Sequence, residues 1–307
     1  MKKRSAETQR RVDAGTKKSS ARRRITRSTP LLTRYPSLIS HHPKKSLGQN
    51  FLVDESVVER IVRAVVPVVN ETIVEIGPGQ GALTARLIEQ AGRLVAIEFD
   101  RDLVPVLRER FGGRENFELV EGDALALDIC ALVGLMNKAR VVANLPYYIS
   151  TAILQRLIEQ RHCLSEMVLM LQKEVVERIT APPGGGERGY LSVLVEAYCE
   201  AEKLFDVAPG SFRPAPKVWS TVVRLRVRPA LPFRVKDEAL LWRLASAGFA
   251  QRRKTIFNNL RAAAELRTHI EQSGGITEVL ALAQIEPQRR AETLSLEEWA
   301  RLSNSMA

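Results

Sequence analysis

The tetrapeptide Asn144-Leu145-Pro146-Tyr147 follows directly on the apolar run Ala139-Arg140-Val141-Val142-Ala143. A strand that ends in an amide, a proline and an aromatic ring is suited to holding an exocyclic aromatic amine. Such an amine is a poor nucleophile, because its lone pair is delocalised into the ring. The side-chain oxygen of Asn144 and the backbone carbonyl of Leu145 can each accept one amine hydrogen, favouring a pyramidal nitrogen with its lone pair aimed outward. Pro146 holds the bend, since its ring fixes φ and restricts the residue before it. Tyr147 offers a face on which an unpaired base can stack. A plain strand-to-helix turn, with Asn144 as a cap and Tyr147 in the core, would read the same, so the neighbouring elements have to decide.

Those elements alternate strand and helix. Order begins near Lys44-Lys45-Ser46-Leu47-Gly48-Gln49-Asn50-Phe51-Leu52, where Asn50 and Phe51 are placed to cover a ligand. Residues 53–66 then carry Val57, Val58, Ile61, Val62 and Val65 at a helical period, with Asp54 as a cap. Residues 72–76 form an apolar strand that runs into Gly77-Pro78-Gly79-Gln80-Gly81-Ala82, and 83–90 read as a helix. In that setting missing side chains allow close backbone approach to a nucleotide, and the helix start offers free N–H groups. The strand at 94–98 ends in Glu98, 17 residues after Gly81, a position from which a carboxylate can accept both ribose hydroxyls. The strand at 117–120 leads to Gly122 and Asp123, the latter placed to accept from an adenine amine. Residues 140–143 form the fourth strand and carry Asn144 on their end. Four strand ends thus each present a glycine or polar feature, and in an open parallel sheet ligands collect at those ends.

A nicotinamide dehydrogenase competes for the glycine loop, because Gly77, Gly79 and Ala82 satisfy the loose dinucleotide fingerprint. Pro78 and Gly81 give a broader loop, no hydride-transfer residues stand out, and a dehydrogenase leaves the tetrapeptide unexplained. S-adenosylmethionine has no pyrophosphate and needs only a loop against which its amino-acid part can lie. It is the cofactor the pattern favours.

Beyond the tetrapeptide, 151–160 read as an amphipathic helix, 167–171 as a strand, 173–180 as a helix and 182–186 as a flexible surface loop. A helix at 190–198 and closing, antiparallel strands at 205–207 and 220–227 follow, around the 212–218 loop. After Arg228-Pro229-Ala230-Leu231-Pro232 the pattern is helical only, at 237–249, 254–264, 275–282 and 296–302. The chain therefore divides into a basic, disordered extension at 1–43, a cofactor-binding α/β domain at 44–229 and a small helical domain at 230–307.

Charge supports a polyanionic partner, because its distribution is uneven. The net charge of +11 comprises +12 over 1–45, −8 over 46–212, +10 over 213–267 and −3 over the remainder. An acidic half joined to a basic quarter suits a small-molecule site beside a nucleic-acid-binding face. Gln251-Arg252-Arg253-Lys254, with Arg224, Arg226, Arg261 and Arg267, is the candidate phosphate-binding stripe. The Arg- and Lys-rich extension lacks an apolar period and could be an RNA arm, a transit peptide or an upstream extension without a role. Cys130, Cys163 and Cys199 are too widely spaced for a metal knuckle and odd in number, so neither a metal site nor a disulfide framework is expected, and a reducing compartment, the cytoplasm, fits. No apolar stretch approaches the length that spans a bilayer.

Taken together, Gln49-Asn50-Phe51-Leu52, Glu75-Ile76-Gly77-Pro78-Gly79-Gln80-Gly81, Glu98-Phe99-Asp100, Gly122-Asp123-Ala124, Asn144-Leu145-Pro146-Tyr147-Tyr148-Ile149-Ser150, Phe212-Arg213-Pro214-Ala215-Pro216-Lys217-Val218 and Gln251-Arg252-Arg253-Lys254 resemble the ribosomal RNA adenine dimethyltransferase family. The match runs in the expected order over about 44 to 300. The resemblance implies a Rossmann-like, S-adenosylmethionine-dependent methyltransferase sheet flanked by helices, with a small all-helical C-terminal domain. It implies transfer of four methyl groups to N6 of two adjacent adenosines near the 3′ end of small-subunit rRNA, on a pre-30S particle during ribosome biogenesis, with no metal needed; the sequence leaves the oligomeric state open, and a monomer is the default expectation. By position, Asn50, Leu52, Gly77, Gly79, Glu98, Asp123 and Asn144 are expected to line the cofactor site. Asn144, Leu145, Pro146 and Tyr147 would face the target amine, Tyr147 and Phe212 would sandwich the base, and Arg252, Arg253 and Lys254 would bind RNA. Two features depart from the family pattern: Tyr148, where many bacterial members have Asn, and the long basic arm. A ribosome-assembly factor that keeps the fold without catalysis would have lost the Asn144 or Gly77 features, and both are present. A DNA adenine methyltransferase is a nearer rival, disfavoured by the 212–218 stretch and the helical tail.

Overall fold

The computed structural model describes residues 43–44, 47–65, 71–134 and 138–306. The expected disorder of the basic extension, apart from its last residue, lies outside the described residues. The chain opens with β1 (Phe51–Leu52) and α1 (Glu55–Val65), whose buried residues Val57, Val58, Ile61, Val62 and Val65 are those of the predicted apolar face. Asp54 Oδ1 accepts the N–H groups of Ser56 at 3.0 Å and Val57 at 3.4 Å, which satisfies donors that a helix start leaves unpaired.

Then come β2 (Thr72–Ile76), α2 (Thr84–Leu87), β3 (Arg93–Glu98), α3 (Leu103–Phe111), β4 (Phe117–Glu121), α4 (Ile129–Val133), β5 (Ala139–Asn144), α5 (Ser150–Glu159) and β6 (Leu164–Gln172). They are followed by α6 (Lys173–Ile179), α7 (Tyr190–Tyr198), β7 (Cys199–Val207), β8 (Phe212–Arg213) and β9 (Ser220–Val227). Seven strands form one sheet in the order β4-β3-β2-β5-β6-β9-β7, and β1 pairs with β8 apart from it. Strands β2 to β6 are parallel, while β9 runs antiparallel to both β6 and β7. The chain adds strands to one side of β2, then returns to place β5 on the other. The ends of β2 and β5 therefore flank the crevice where such sheets bind ligands.

The sheet is buried on both faces, which explains why its central strands read as continuous apolar runs. Val74, Ile76, Val95, Ile97, Val141, Ala143, Met167 and Leu169 enter one core cluster, whereas Ile73, Leu94, Val142, Val168 and Met170 enter the other. Alternation along a strand does this, since successive side chains point to opposite faces. At about 1.5–3 kcal/mol for each fully buried aliphatic side chain, a one-residue slip of β5 would reverse its pattern and is strongly disfavoured.

Four sequence expectations need correction. The helix expected at 83–90 contracts to α2, because residues 79–83 stay in turns. Helix α3 was not anticipated; Pro105 is its third residue, where the missing N–H has no intrahelical partner to lose. Strand β7 begins six residues earlier than its apolar end at 205–207 suggests, because it is an edge strand with exposed Glu200 and Glu202. Cys130 and Cys163 form a disulfide, since α4 and the turn after α5 are drawn together by Gln160, whose Oε1 accepts the Ile129 N–H at 2.7 Å. Cys199 is the buried free thiol.

Past Val227 the described residues form only helices: α8 (Glu238–Gly248), α9 (Ile256–Ala262), α10 (Arg267–Gln272), α11 (Ile276–Leu282) and α12 (Leu296–Asn304), with short 3-10 turns between. Trp299 is fully buried and belongs to the same cluster as Leu241, Leu244 and Ile256, a cluster that continues through Val193 and Leu194 of α7 to the sheet. The helical tail thus shares its core with the helices covering one sheet face. Among the described residues, no helix is long and apolar enough to cross a membrane.

One buried acid has a consequence for stability. Glu75, in the middle of β2, accepts a 2.7 Å hydrogen bond from Thr84 Oγ1, and burial pushes its carboxyl up to about 8 from an ordinary 4.5. Between those two values the unfolded chain releases a proton that the native chain keeps, so stability falls as pH rises through the window. Denaturant unfolding at pH 5 and pH 8 should show wild type losing stability relative to Glu75→Gln, with the variant ahead at pH 8 by on the order of 2 kcal/mol. Parallel pH profiles for the two proteins would contradict this.

Candidate active site

A cavity of about 310 Å³ opens at the carboxyl ends of the parallel strands. It is lined by Gly77 and Gly79 after β2, Glu98 at the end of β3, Asp123 beyond β4, and Asn144 to Tyr147 at the end of β5. Asn50 and Phe51 close it from the amino-terminal side. Two expected lining residues are absent from its wall, Leu52 and Phe212.

The glycine turn makes room for a ligand. Gly77 has φ +68°, and a Cβ built there would meet nothing within 4 Å, so its side stays open. Gly79, at φ +58°, donates its N–H to Glu98 Oε2 at 3.0 Å, and Glu98 Oε1 accepts the Asp100 N–H at 2.8 Å. Burial raises the Glu98 carboxyl above its ordinary value, although the two N–H bonds pull the other way. Each carboxylate oxygen keeps a lone pair free for a further donor. Asp123 is exposed and spends Oδ1 on the Leu125 N–H at 2.9 Å. An open glycine cradle, a buried diol acceptor and a second carboxylate fit the chemistry of S-adenosylmethionine, which offers two ribose hydroxyls and an adenine amine.

A strap from Leu47 to Phe51 lines the cavity, and it and Lys44 are pinned to the turn after β3. Lys44 Nζ contacts Asp100 and Asp102, the latter at 2.6 Å, and Gln49 Nε2 donates to Asp100 Oδ2 at 2.7 Å. Burial would raise the Asp100 carboxyl, but the bonds from Lys44, Gln49 and the Asp102 N–H together hold it below the usual range. The strap's other attachment is the Asn144 side chain, whose Nδ2 donates to the Asn50 carbonyl at 3.1 Å. That bond uses the amide nitrogen and leaves Oδ1 as the free acceptor. Neither Asn144 Oδ1 nor the Leu145 carbonyl accepts a hydrogen bond from a described residue. Tyr147 is half-buried, with its hydroxyl 2.6 Å from Ser220 Oγ.

Comparison with known proteins bears on what these groups serve. The family model for ribosomal RNA adenine dimethylase matches residues 40–306. The chain belongs to that family. The ribosomal RNA small subunit methyltransferase A of Pseudomonas aeruginosa is 43% identical over 270 residues, covering 88% of this chain and 97% of that protein. The protein of the same name from Moorella thermoacetica is 45% identical over 272 residues, covering 86% and 92%. Among solved structures, a dimethyladenosine transferase from Plasmodium falciparum aligns with TM-score 0.69 and 25% identity over 82% of this chain and 95% of that one. The 23S rRNA methyltransferase ErmE aligns with TM-score 0.63 and 25% identity over 84% and 99%. The fold is that of S-adenosylmethionine-dependent rRNA methyltransferases, and S-adenosylmethionine is the cofactor.

Within the family frame, several expected roles do not match the geometry. Phe212 is fully buried rather than facing Tyr147 across the cavity, because β8 pairs with β1 in a register that sets Leu52 opposite Phe212 and draws both side chains into the second core cluster. Arg224 and Arg226, assigned to a phosphate stripe, instead neutralise Glu166 and Glu202. Arg252 reaches the Gly186 carbonyl, while Arg253 and Lys254 are exposed in the turn between α8 and α9. The 182–186 loop is tied down as well, with the Gly184 N–H on the Glu292 carbonyl at 2.9 Å. Lys44, Asp100, Asp102 and Ser220 received no role from the sequence, since each acts through a partner far along the chain.

A cofactor held by the buried Glu98 would bind with a pH dependence. The charged form of Glu98 accepts best, and its raised pKa means that acceptance is lost as pH falls. Calorimetry with S-adenosylhomocysteine should show affinity dropping as pH falls from 8 toward the ordinary carboxylate range. Glu98→Gln should bind roughly 10-fold or more weakly at pH 8 and show little of that dependence. A wild-type affinity that is flat across the range would contradict the assignment.

Proposed function

We propose that this chain dimethylates N6 of two adjacent adenosines near the 3′ end of small-subunit rRNA, acting as a monomer on a pre-30S particle. The observation that carries the reading is the pair of unused acceptors at the end of β5, Asn144 Oδ1 and the Leu145 carbonyl, beside the Gly77 and Glu98 cradle. The relatives' names support small-subunit rRNA as the substrate. The proposed compartment is the cytoplasm; the Cys130–Cys163 bond is the feature that argues for an oxidising one.

When bound, S-adenosylmethionine supplies a methyl group on a sulfonium sulfur, an electrophile that needs no metal to activate it. Glu98 and Asp123 hold the ribose and adenine ends, and Gly77 and Gly79 allow close backbone approach. Asn144 and Leu145 accept the two hydrogens of the target amine and turn its lone pair outward, so positioning and electrostatic orientation supply most of the acceleration. Asn50 keeps the amide from rotating. Tyr147 presents a ring to the base, and Pro146 fixes the backbone between them. The proton leaves the product nitrogen for water after transfer. After one methyl is added a single hydrogen remains for two acceptors, so the pocket must accept a rotated amine. Arg253 and Lys254 contribute phosphate contacts that weaken steeply with salt.

Primer extension on small-subunit rRNA incubated with the enzyme and S-adenosylmethionine should stop at the paired adenosines. With Asn144→Ala the transfer rate should fall roughly 100- to 1000-fold and the stops disappear. Stops that are unaffected by the substitution would refute the role of Asn144.

A further inference from the structure

Large apolar side chains are exposed at six places among the described residues, and two of them border the cavity. Phe99 and Tyr148 line it, and Tyr148 is 58% exposed. Trp219, 52% exposed, is tied to the same rim, because its chain neighbour Ser220 bonds the hydroxyl of Tyr147, the residue before Tyr148. Leu282 alone belongs to the helical tail. Exposed rings gathered at one mouth indicate a binding surface more than scattered exposure does.

Tyr148 is also held in place. Gly48 of the strap, at φ +58°, lies against the ring, and a Cβ there would stand 3.0 Å from Cδ1 and 3.3 Å from Cε1. The ring is therefore oriented before any ligand arrives, which lowers the entropy lost on binding. Exposed Arg213 and Lys217 lie on the segment that leads to Trp219, where they can meet phosphates. A flat, prepositioned ring one residue beyond Tyr147, exposed at the wall of the cavity, has the character of a stacking platform for unpaired RNA.

Resting on the rRNA reading above, we propose that Tyr148 forms a second nucleobase subsite, stacking the base of the adenosine that adjoins the one held by Asn144 and Tyr147. While one adenosine of the pair occupies the cavity, the other is thereby parked at its mouth rather than returned to the helix.

The test uses pre-30S particles assembled on small-subunit RNA that contains the adenosine pair, either intact or with one adenosine made abasic, and follows methylation at the remaining one. Wild type should show a KM raised roughly 5- to 150-fold by the abasic site, the range expected for one base–ring stack. Tyr148→Ala should raise KM by a similar factor on intact RNA and show no further increase on the abasic RNA, with kcat and S-adenosylhomocysteine affinity unchanged. Tyr148→Phe should behave as wild type. An equal penalty from Tyr148→Ala on both RNAs, no penalty on either, or weakened S-adenosylhomocysteine binding would overturn the proposal; the last would assign the ring to the cofactor. Failure of wild type to methylate the intact RNA would instead refute the rRNA reading.

Discussion

The hydrogen bond from Asn144 Nδ2 to the Asn50 carbonyl decides what the cavity can do. A primary amide has one donor end and one acceptor end, and only the acceptor end can orient an amine. By occupying the nitrogen, Asn50 turns the oxygen toward the cavity. The bond also joins the strap to the sheet, since Asn50 belongs to a segment whose other end is fixed to Asp100 through Gln49 and Lys44. Loss of the strap would free the amide to flip, and a flipped amide would present N–H to an amine that already has only hydrogens to offer.

The sheet is what makes so small a device accurate. Asn144 ends a strand held on one side by β2 and on the other by β6, with Ala143 opposite Ile76 and Asn144 opposite Met170. Glu98 ends the next strand but one, and its carboxylate fixes the Gly79 N–H directly. The acceptors proposed for the cofactor and for the amine are therefore tied to one hydrogen-bonded frame, whose inner strands are buried on both faces. The tail helices extend that frame without adding to the cavity, since their core joins the cluster that includes α7.

Much of this was legible in the sequence, because strand ends announce themselves. Apolar runs that stop at Gly77, Glu98, Asp123 and Asn144 mark both the strands and the residues at their ends, and the five apolar positions of α1 follow from period alone. Contacts across long separations were not legible. Gln49 meets Asp100 and Tyr147 meets Ser220 only after folding, at separations of 51 and 73 residues. The disulfide has the same character, since nothing in the spacing of Cys130 and Cys163 shows that Gln160 will bring their segments together. Phe212 misled because a motif gives a residue's identity but not the face it turns, and pairing with β1 turned this one inward. Charge misled similarly at Arg224 and Arg226, whose acidic partners lie on neighbouring strands.

The central claim is that two carbonyl-type oxygens at the end of β5 grip the target nitrogen. It is tested most directly by a crystal structure of the ternary complex with S-adenosylhomocysteine and an RNA oligomer carrying an unmethylated target adenosine, whose N6 keeps both hydrogens. The account requires N6 at about 2.7–3.2 Å from both Asn144 Oδ1 and the Leu145 carbonyl, with Asn144 Nδ2 still on Asn50. An adenine seated elsewhere, or an Asn144 amide turned with its nitrogen toward N6, would contradict it.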